Sequence, residues 1–211
     1  MKRYEGKKML WGSRFAELVK RLSEEEQDLA AKRIDTYVKE NPEYCDKGNY
    51  AHLRNIFSSM ALYHTLLERP LSETEAETLI FETMYAYMQK QRSTFQKLAK
   101  KDWFWPLIKK IVPIGFKKGS GYGWEYTWHS KEGRKDVFRF ECNRCIYQQI
   151  FQKYGLERFG PKFCYNDIIV YGELPRTDFI RTNTLCRGGK QCDFQFVRYK
   201  KKENFERSES V

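Results

Sequence analysis

The chain has 211 residues with a formal net charge of +11; hydrophobic residues make up 41 % and aromatics 16 %. That composition excludes an intrinsically disordered chain and gives enough length for one substantial core. No apolar run reaches the ~20 residues of a membrane span, and the basic start MKRYEGKKMLWGSRF has no apolar segment of a secretory signal, so a cytoplasmic protein without a membrane partner is expected.

The first half reads as helical. Ser23-Glu24-Glu25-Glu26 is a capping box, and the helix it opens should run to about Lys39, where Asn41-Pro42 ends it. Leu53, Ile56, Phe57, Met60, Ala61 and Leu67 recur at helical spacing and predict a second helix over Tyr50 to Glu68, stopped by Pro70. Ser72-Glu73-Thr74-Glu75 is a second capping box, opening a third helix towards Lys100. Asp102 to Ile108 is dense in aromatics, with Pro106 suited to the first turn of a short helix. Its Trp103 to Trp105 segment could pack inward or form a dimer surface, so a homo-oligomer is compatible. The stretch VPIGFKKGSGYG reads as a loop, more simply a connector than a lid.

Strand periodicity follows. Trp124, Tyr126 and Trp128 alternate with polar residues, 130 to 134 reads as a turn, and Val137 to Cys142 as the returning strand. A helix fits Ile146 to Tyr154, ended by Gly155. Asn166 to Tyr171 and Asp178 to Leu185 read as further strands, and Arg187-Gly188-Gly189-Lys190 turns the chain into a last one, Cys192 to Tyr199. The expected architecture is α+β: a single domain over 1–211, with a helical part at about 13–112 packed on a mainly antiparallel sheet at about 122–199 and a frayed tail at 200–211. The 29 Phe and Tyr residues are expected mostly to fill the core, with a lined apolar pocket as the alternative.

Candidate chemistry gathers in the second half. Of six cysteines, Cys142, Cys145, Cys164, Cys186 and Cys192 lie beyond position 140. On the last strand Cys192 shares a face with Phe194 and Phe196, while Asp193 points the other way, suited to bracing the glycine turn. Cys164 and Asp167 are expected near a strand start, where a thiol could act as nucleophile if a base or positive charge lies close. Thr182 and Thr184 share a face opposite Arg181, whose guanidinium would suit a substrate carboxylate if it points inward. His52 and His64 are separated by about 1200° of helical rotation, so they lie on faces roughly 120° apart and one of them at most should face the sheet. Cys164, Cys186 and Cys192 could converge on zinc, and Cys142-Asn143-Arg144-Cys145 is the lone two-residue spacing. The positive charge is scattered over Lys97 to Lys101, Lys109-Lys110, Lys117-Lys118 and Arg198 to Lys202 without a nucleic-acid motif, so no nucleic-acid partner is expected.

These residues resemble the family of L-2-amino-thiazoline-4-carboxylic acid hydrolases. The likeness is carried by Cys145-Ile146-Tyr147, Gly155-Leu156, Phe163-Cys164 with Asp167, Arg181-Thr182 with Thr184-Leu185, Gly188-Gly189 and Cys192-Asp193-Phe194. It runs from about residue 124 to 198, with the helical half matching in general pattern through ALYHTLLERPLSETEAETL. The resemblance implies ring-opening hydrolysis of a cyclic amidine such as 2-aminothiazoline-4-carboxylate, a small-molecule substrate; no cofactor and no bound metal are expected. It implies Cys164 as nucleophile, Asp167 as its acid/base partner, Arg181 as carboxylate anchor, and Thr182, Thr184, Cys145, Cys192 and Asp193 as substrate-binding residues. A fainter similarity to vinyl reductase-type ligand-binding domains of bacterial sensors supports the alternative, a small-molecule or zinc-binding module without turnover.

Overall fold

Both capping boxes form. Ser23 Oγ accepts from the Glu26 N–H at 3.2 Å and the Glu26 carboxylate accepts from the Ser23 N–H at 2.7 Å; Ser72 and Glu75 repeat the exchange. The computed structural model describes residues 3–129 and 134–199. Among these, two short N-terminal helices, α1 (Gly6–Gly12) and α2 (Ala16–Val19), precede α3 (Glu24–Glu40), α4 (Tyr50–Leu66) and α5 (Glu73–Ala99). Helix α4 is buried nearly all round, from Leu53 to Leu66, so it forms the axis of the helical layer. The α+β expectation holds. Among the described residues no helix is long and apolar enough to cross a membrane.

Helix α6 (Phe104–Gly119) departs from the expected short helix followed by a loop. It continues through Val112 and Pro113 to Gly119, so the segment read as a connector is half helix. Proline in a helix interior removes one backbone hydrogen bond and crowds the preceding turn, which is why the sequence reads as broken there. Phe104 is its one fully buried residue. Trp103 is left exposed, while Trp105, Ile108, Val112 and Phe116 turn inward towards the sheet.

The sheet has the order β1-β2-β4-β3, all antiparallel: β1 (Glu125–Trp128), β2 (Val137–Arg144), β3 (Thr177–Ile180) and β4 (Cys192–Arg198). The turn expected over 130–134 falls mainly, and the tail over 200–211 wholly, outside the described residues. On the inward face, Cys142 pairs with Cys192, Phe140 with Phe194 and Phe138 with Phe196. No described helix packs its backbone closely on this sheet; aromatic side chains and a cavity fill the space between the layers.

Two predicted strands are corrected. Residues 166–171 belong to α8 (Phe159–Tyr171), a helix. The β-branched run Ile168-Ile169-Val170 suggests a strand locally, but Phe159, Phe163, Asn166 and Val170 are buried at four- and three-residue spacing, and that tertiary pattern wins. Pro161 falls in its first turn, where a missing N–H costs little. The strand expected over Asp178 to Leu185 ends at Ile180; residues 181–184 are extended without a ladder, and Leu185–Arg187 form a 3₁₀ turn closed by Gly188 at φ +82°. Helix α7 (Ile146–Lys153) lies as predicted, with Gly155 at φ +66° just past its end.

Candidate active site

Strand β2 runs directly into α7, and Cys145 is the junction: it is the N-cap residue, with extended backbone (φ −131°, ψ 121°). Five thiols line up from there. Cys142 lies within hydrogen-bond reach of Cys192 and Cys145, and Cys186 within reach of Cys145 and Cys164. The row is brought together by the Cys142–Cys192 cross-strand pair and by a close approach of α8 to the 3₁₀ turn, where a Cβ on Gly160 would sit 2.8 Å from Cys186 Sγ. The sulfurs form a line rather than a ring. Among the described residues, no three His, Cys, Asp or Glu side chains are arranged to hold a metal ion.

Cys145 is at the centre of the row and electrostatically distinct. Hydrogen bonds from Cys142 and Cys186, and from the backbone N–H groups of Gln148 and Tyr147, hold its thiol well below the ordinary range against the opposing effect of burial. The first turn of α7 thus turns unpaired N–H groups toward the Cys145 sulfur, an arrangement that favours the anionic form as helix N-termini do for anions. Cys142, whose Sγ donates to the Arg144 carbonyl at 3.2 Å, and Cys186 are pushed up by their thiol neighbours and by burial. Cys192 is lowered by the thiol of Cys142 and accepts from the Leu185 N–H at 3.3 Å.

Four of these thiols, all but Cys186, border a cavity of about 380 Å³ between the sheet, α6 and α8. Its polar lining includes Cys142, Cys145, Cys164, Cys192, Arg14, His52, Tyr147, Asn166, Asp167, Thr177 and Arg181; most of the remaining wall is aromatic or aliphatic. Cys164 and Asp167 occupy one face of α8, at i and i+3, rather than a strand start. Arg181 points inward, with its side chain only 6 % exposed. Its Nη1 donates to Asp167 Oδ2 at 2.5 Å and its Nη2 to the Cys164 carbonyl at 2.9 Å. The guanidinium also lies over the rings of Phe194 and Phe179. Asp167 is 34 % exposed by side chain, but that surface faces the cavity. Burial pushes its carboxyl above the usual range, with the Arg181 charge pulling the other way.

Arg14 is the cation that the sequence reading did not single out. Its backbone N–H donates to Asn55 Oδ1 at 3.0 Å, its side chain lines the cavity, and no carboxylate pairs with it among the described residues. Its charge acts on His52, Tyr147 and Asp167. His52 was likewise left without a role. Its Nδ1 lies 3.2 Å from the Tyr147 hydroxyl, and its ring packs on Trp124. Burial pushes the imidazole down to about 4, so it is neutral at pH 7. His64 lies off the cavity, in line with the angular separation. Neither Arg14 nor His52 stands in a local pattern with the thiols; only the packing of α4 on α7 brings His52 to Tyr147.

Three expected substrate-binding residues lie elsewhere. Asp193 accepts from the Thr182 hydroxyl and from the Thr182 and Asn183 N–H groups at 3.0 and 2.6 Å, so it braces the 181–184 segment rather than the Gly188-Gly189 turn. Thr182 is exposed and Thr184 is buried beneath the same segment; none of these three side chains lines the cavity. Asp193 fixes the backbone that follows Arg181 through the Thr182 and Asn183 N–H groups.

A depressed histidine has a measurable consequence. The unfolded imidazole takes up a proton near pH 6.5, whereas the folded one resists until about pH 4, so stability is complete above pH 6.5 and is lost as the pH falls. Between pH 7.5 and 5 the loss should be about 2 kcal/mol. Urea unfolding of the wild type and His52→Gln at both pH values should show that much less loss in the variant; equal losses would place the imidazole in solvent.

The α+β domain thus carries an aromatic-walled cavity edged by thiols, a carboxyl group and two guanidinium groups, a lining suited to a small molecule. The family model described as L-2-amino-thiazoline-4-carboxylic acid hydrolase matches residues 50–196, and the chain belongs to that family. The match spans all four strands, α7, α8 and the five aligned thiols, and leaves Arg14 outside it. No curated protein and no solved structure matches the chain.

Proposed function

We propose that the protein hydrolyses a cyclic amidine carboxylate of the 2-aminothiazoline-4-carboxylate kind, with Cys145 as nucleophile. The observation that carries this reading is the thiol of Cys145, held low at the α7 N-terminus on the wall of an aromatic-lined cavity. The sequence alone favours Cys164 for this role. Cys164 shares the cavity, but the N–H groups and thiol donors converge on Cys145.

The chemistry follows from the neighbours. Addition of Cys145 Sγ to the carbon of the amidine protonated on its ring nitrogen gives a neutral tetrahedral adduct, and that nitrogen takes a second proton as the ring carbon–nitrogen bond breaks. Asp167, whose carboxyl is raised by burial, relays this proton and takes one back from the water that follows, and Arg181 orients it. Water then adds to the same carbon and expels the thiolate, so one water is consumed overall and the ring nitrogen leaves as an amine. Because Arg181 is committed to Asp167 and the Cys164 carbonyl, the substrate carboxylate falls to Arg14.

The test is ring opening of 2-aminothiazoline-4-carboxylate by the purified protein, with metal content determined in parallel. Arg14→Gln should raise KM about 10- to 100-fold while kcat changes little, as expected for loss of a charged contact made equally in ground and transition states. An unchanged KM removes Arg14 as anchor. Absence of turnover by the wild type, with the compound bound, assigns a binding module instead.

A further inference from the structure

The cavity's charged groups and thiols stand at one end; at the other, Thr177 lines the wall with its hydroxyl already bonded to Arg198 Nη1 at 3.2 Å. Along the inward face of β2 and β4 the paired rows read Cys142/Cys192, then Phe140/Phe194, then Phe138/Phe196. At the rise of a β-strand, the second row lies about 7 Å and the third about 13 Å from the thiols. Helix α6 roofs the same length. Its N-terminal half lies over the far end, where Trp105 Nε1 and Lys109 Nζ donate to the Lys135 carbonyl at 3.4 and 3.1 Å beside the start of β2. Phe116 packs edge-on against Phe140 and Tyr126, and Gly119, at the other end, bonds to His52. The charged and titratable groups that influence Cys145 or are influenced by it, among them His52, Tyr147 and Asp167, all belong to the thiol end.

A five-membered ring with an amino group and a carboxylate is covered by that polar end alone. The remaining length is walled by Phe138, Phe196, Trp105, Ile108 and Val112, and a volume of about 380 Å³ is in the range that encloses ligands of drug size. Dry aromatic surface of that extent contributes to binding only if apolar substance covers it.

We propose that the natural substrate is an amphiphile: a carboxylate-bearing polar head at the thiol end, with an extended alkyl or aryl tail running under α6 to the Phe138/Phe196 row. This rests on the reading of the cavity as the hydrolase's substrate site and names the class of substrate it takes.

The probes are straight-chain carboxylates from butanoate to dodecanoate, with binding to the full chain followed by calorimetry. Affinity should rise about tenfold for every two methylenes until the tail fills the cavity. Ile108→Trp on α6 fills the far end without touching the polar groups. It should weaken dodecanoate at least tenfold and leave butanoate unchanged, with the unfolding midpoint confirming that the variant is folded. A flat dependence on chain length, or equal weakening of both probes by Ile108→Trp, overturns the proposal. Hydrolysis of the bare ring separates the two readings: turnover with flat carboxylate affinity leaves the hydrolase and removes the tail. Steep affinity without turnover of the bare ring or of the ring carrying an octyl chain supports the tail and removes the hydrolase.

Discussion

Cys145→Ser should lower kcat/KM for ring opening by on the order of 10³-fold or more, whereas Cys164→Ser should stay within about tenfold of wild type. A hydroxyl in place of Cys145 keeps the N-cap geometry, because serine is a favoured N-cap residue, but it does not ionise near neutrality. The fold should therefore survive and the reaction should not. The same thiolate predicts selective chemistry. At pH 6, iodoacetamide should alkylate Cys145 ahead of Cys142 and Cys186, whose thiols are pushed up by their thiol neighbours and by burial. Peptide mass spectrometry reads the order directly. Preferential loss of activity in Cys164→Ser would transfer the nucleophile to α8, where the sequence reading puts it.

The second large effect concerns stability. Arg181 is nearly fully buried, and Asp167 is its carboxylate partner at 2.5 Å. Asp167→Ala leaves a guanidinium in a low-dielectric site without a counter-charge, which should cost about 3–5 kcal/mol. Removing both charges with apolar residues of similar bulk, Asp167→Leu with Arg181→Met, should recover most of that loss. The cation over Phe179 and Phe194 goes with the arginine, so the recovery falls short by the small contribution of those contacts. Urea unfolding of the two single variants and the double variant gives the coupling; additive losses would mean that the pair is solvated. Asp167→Asn separates the roles, since it retains a hydrogen-bond acceptor for Arg181 but cannot supply the carboxyl proton.

How far the sequence reached depends on the range of the forces involved. The capping boxes at Ser23 and Ser72 are satisfied within one turn, and the alternation along Trp124 to Trp128 and Cys192 to Tyr199 is a property of the strand itself, so both were legible. Helix α8 was not, because its β-branched run speaks locally for a strand while burial of Phe159, Phe163 and Val170 against α5 and α7 decides for a helix. Helix α6 hides behind Pro113. At the site, Cys145, Cys192, Cys164, Asp167 and Arg181 were singled out and do share the cavity. Which thiol is activated depends on neighbours brought from β4, α7 and the 3₁₀ turn, and on the N–H groups of a helix start. Arg14 and His52 come from the opposite half of the chain, more than 90 residues from Tyr147, and no spacing announces them. The sheet-face aromatics, expected to fill a core, instead wall the cavity.

Helix α6 is the least firmly held part of that wall. It carries a proline in its interior and buries one residue fully, while the strands opposite are hydrogen-bonded on both sides along β2 and β4. Elements with little buried apolar surface open locally at a free energy well below that of global unfolding. A ligand held beneath α6 should therefore slow the local opening of residues 104–119, and amide hydrogen exchange with and without dodecanoate would read that added protection directly.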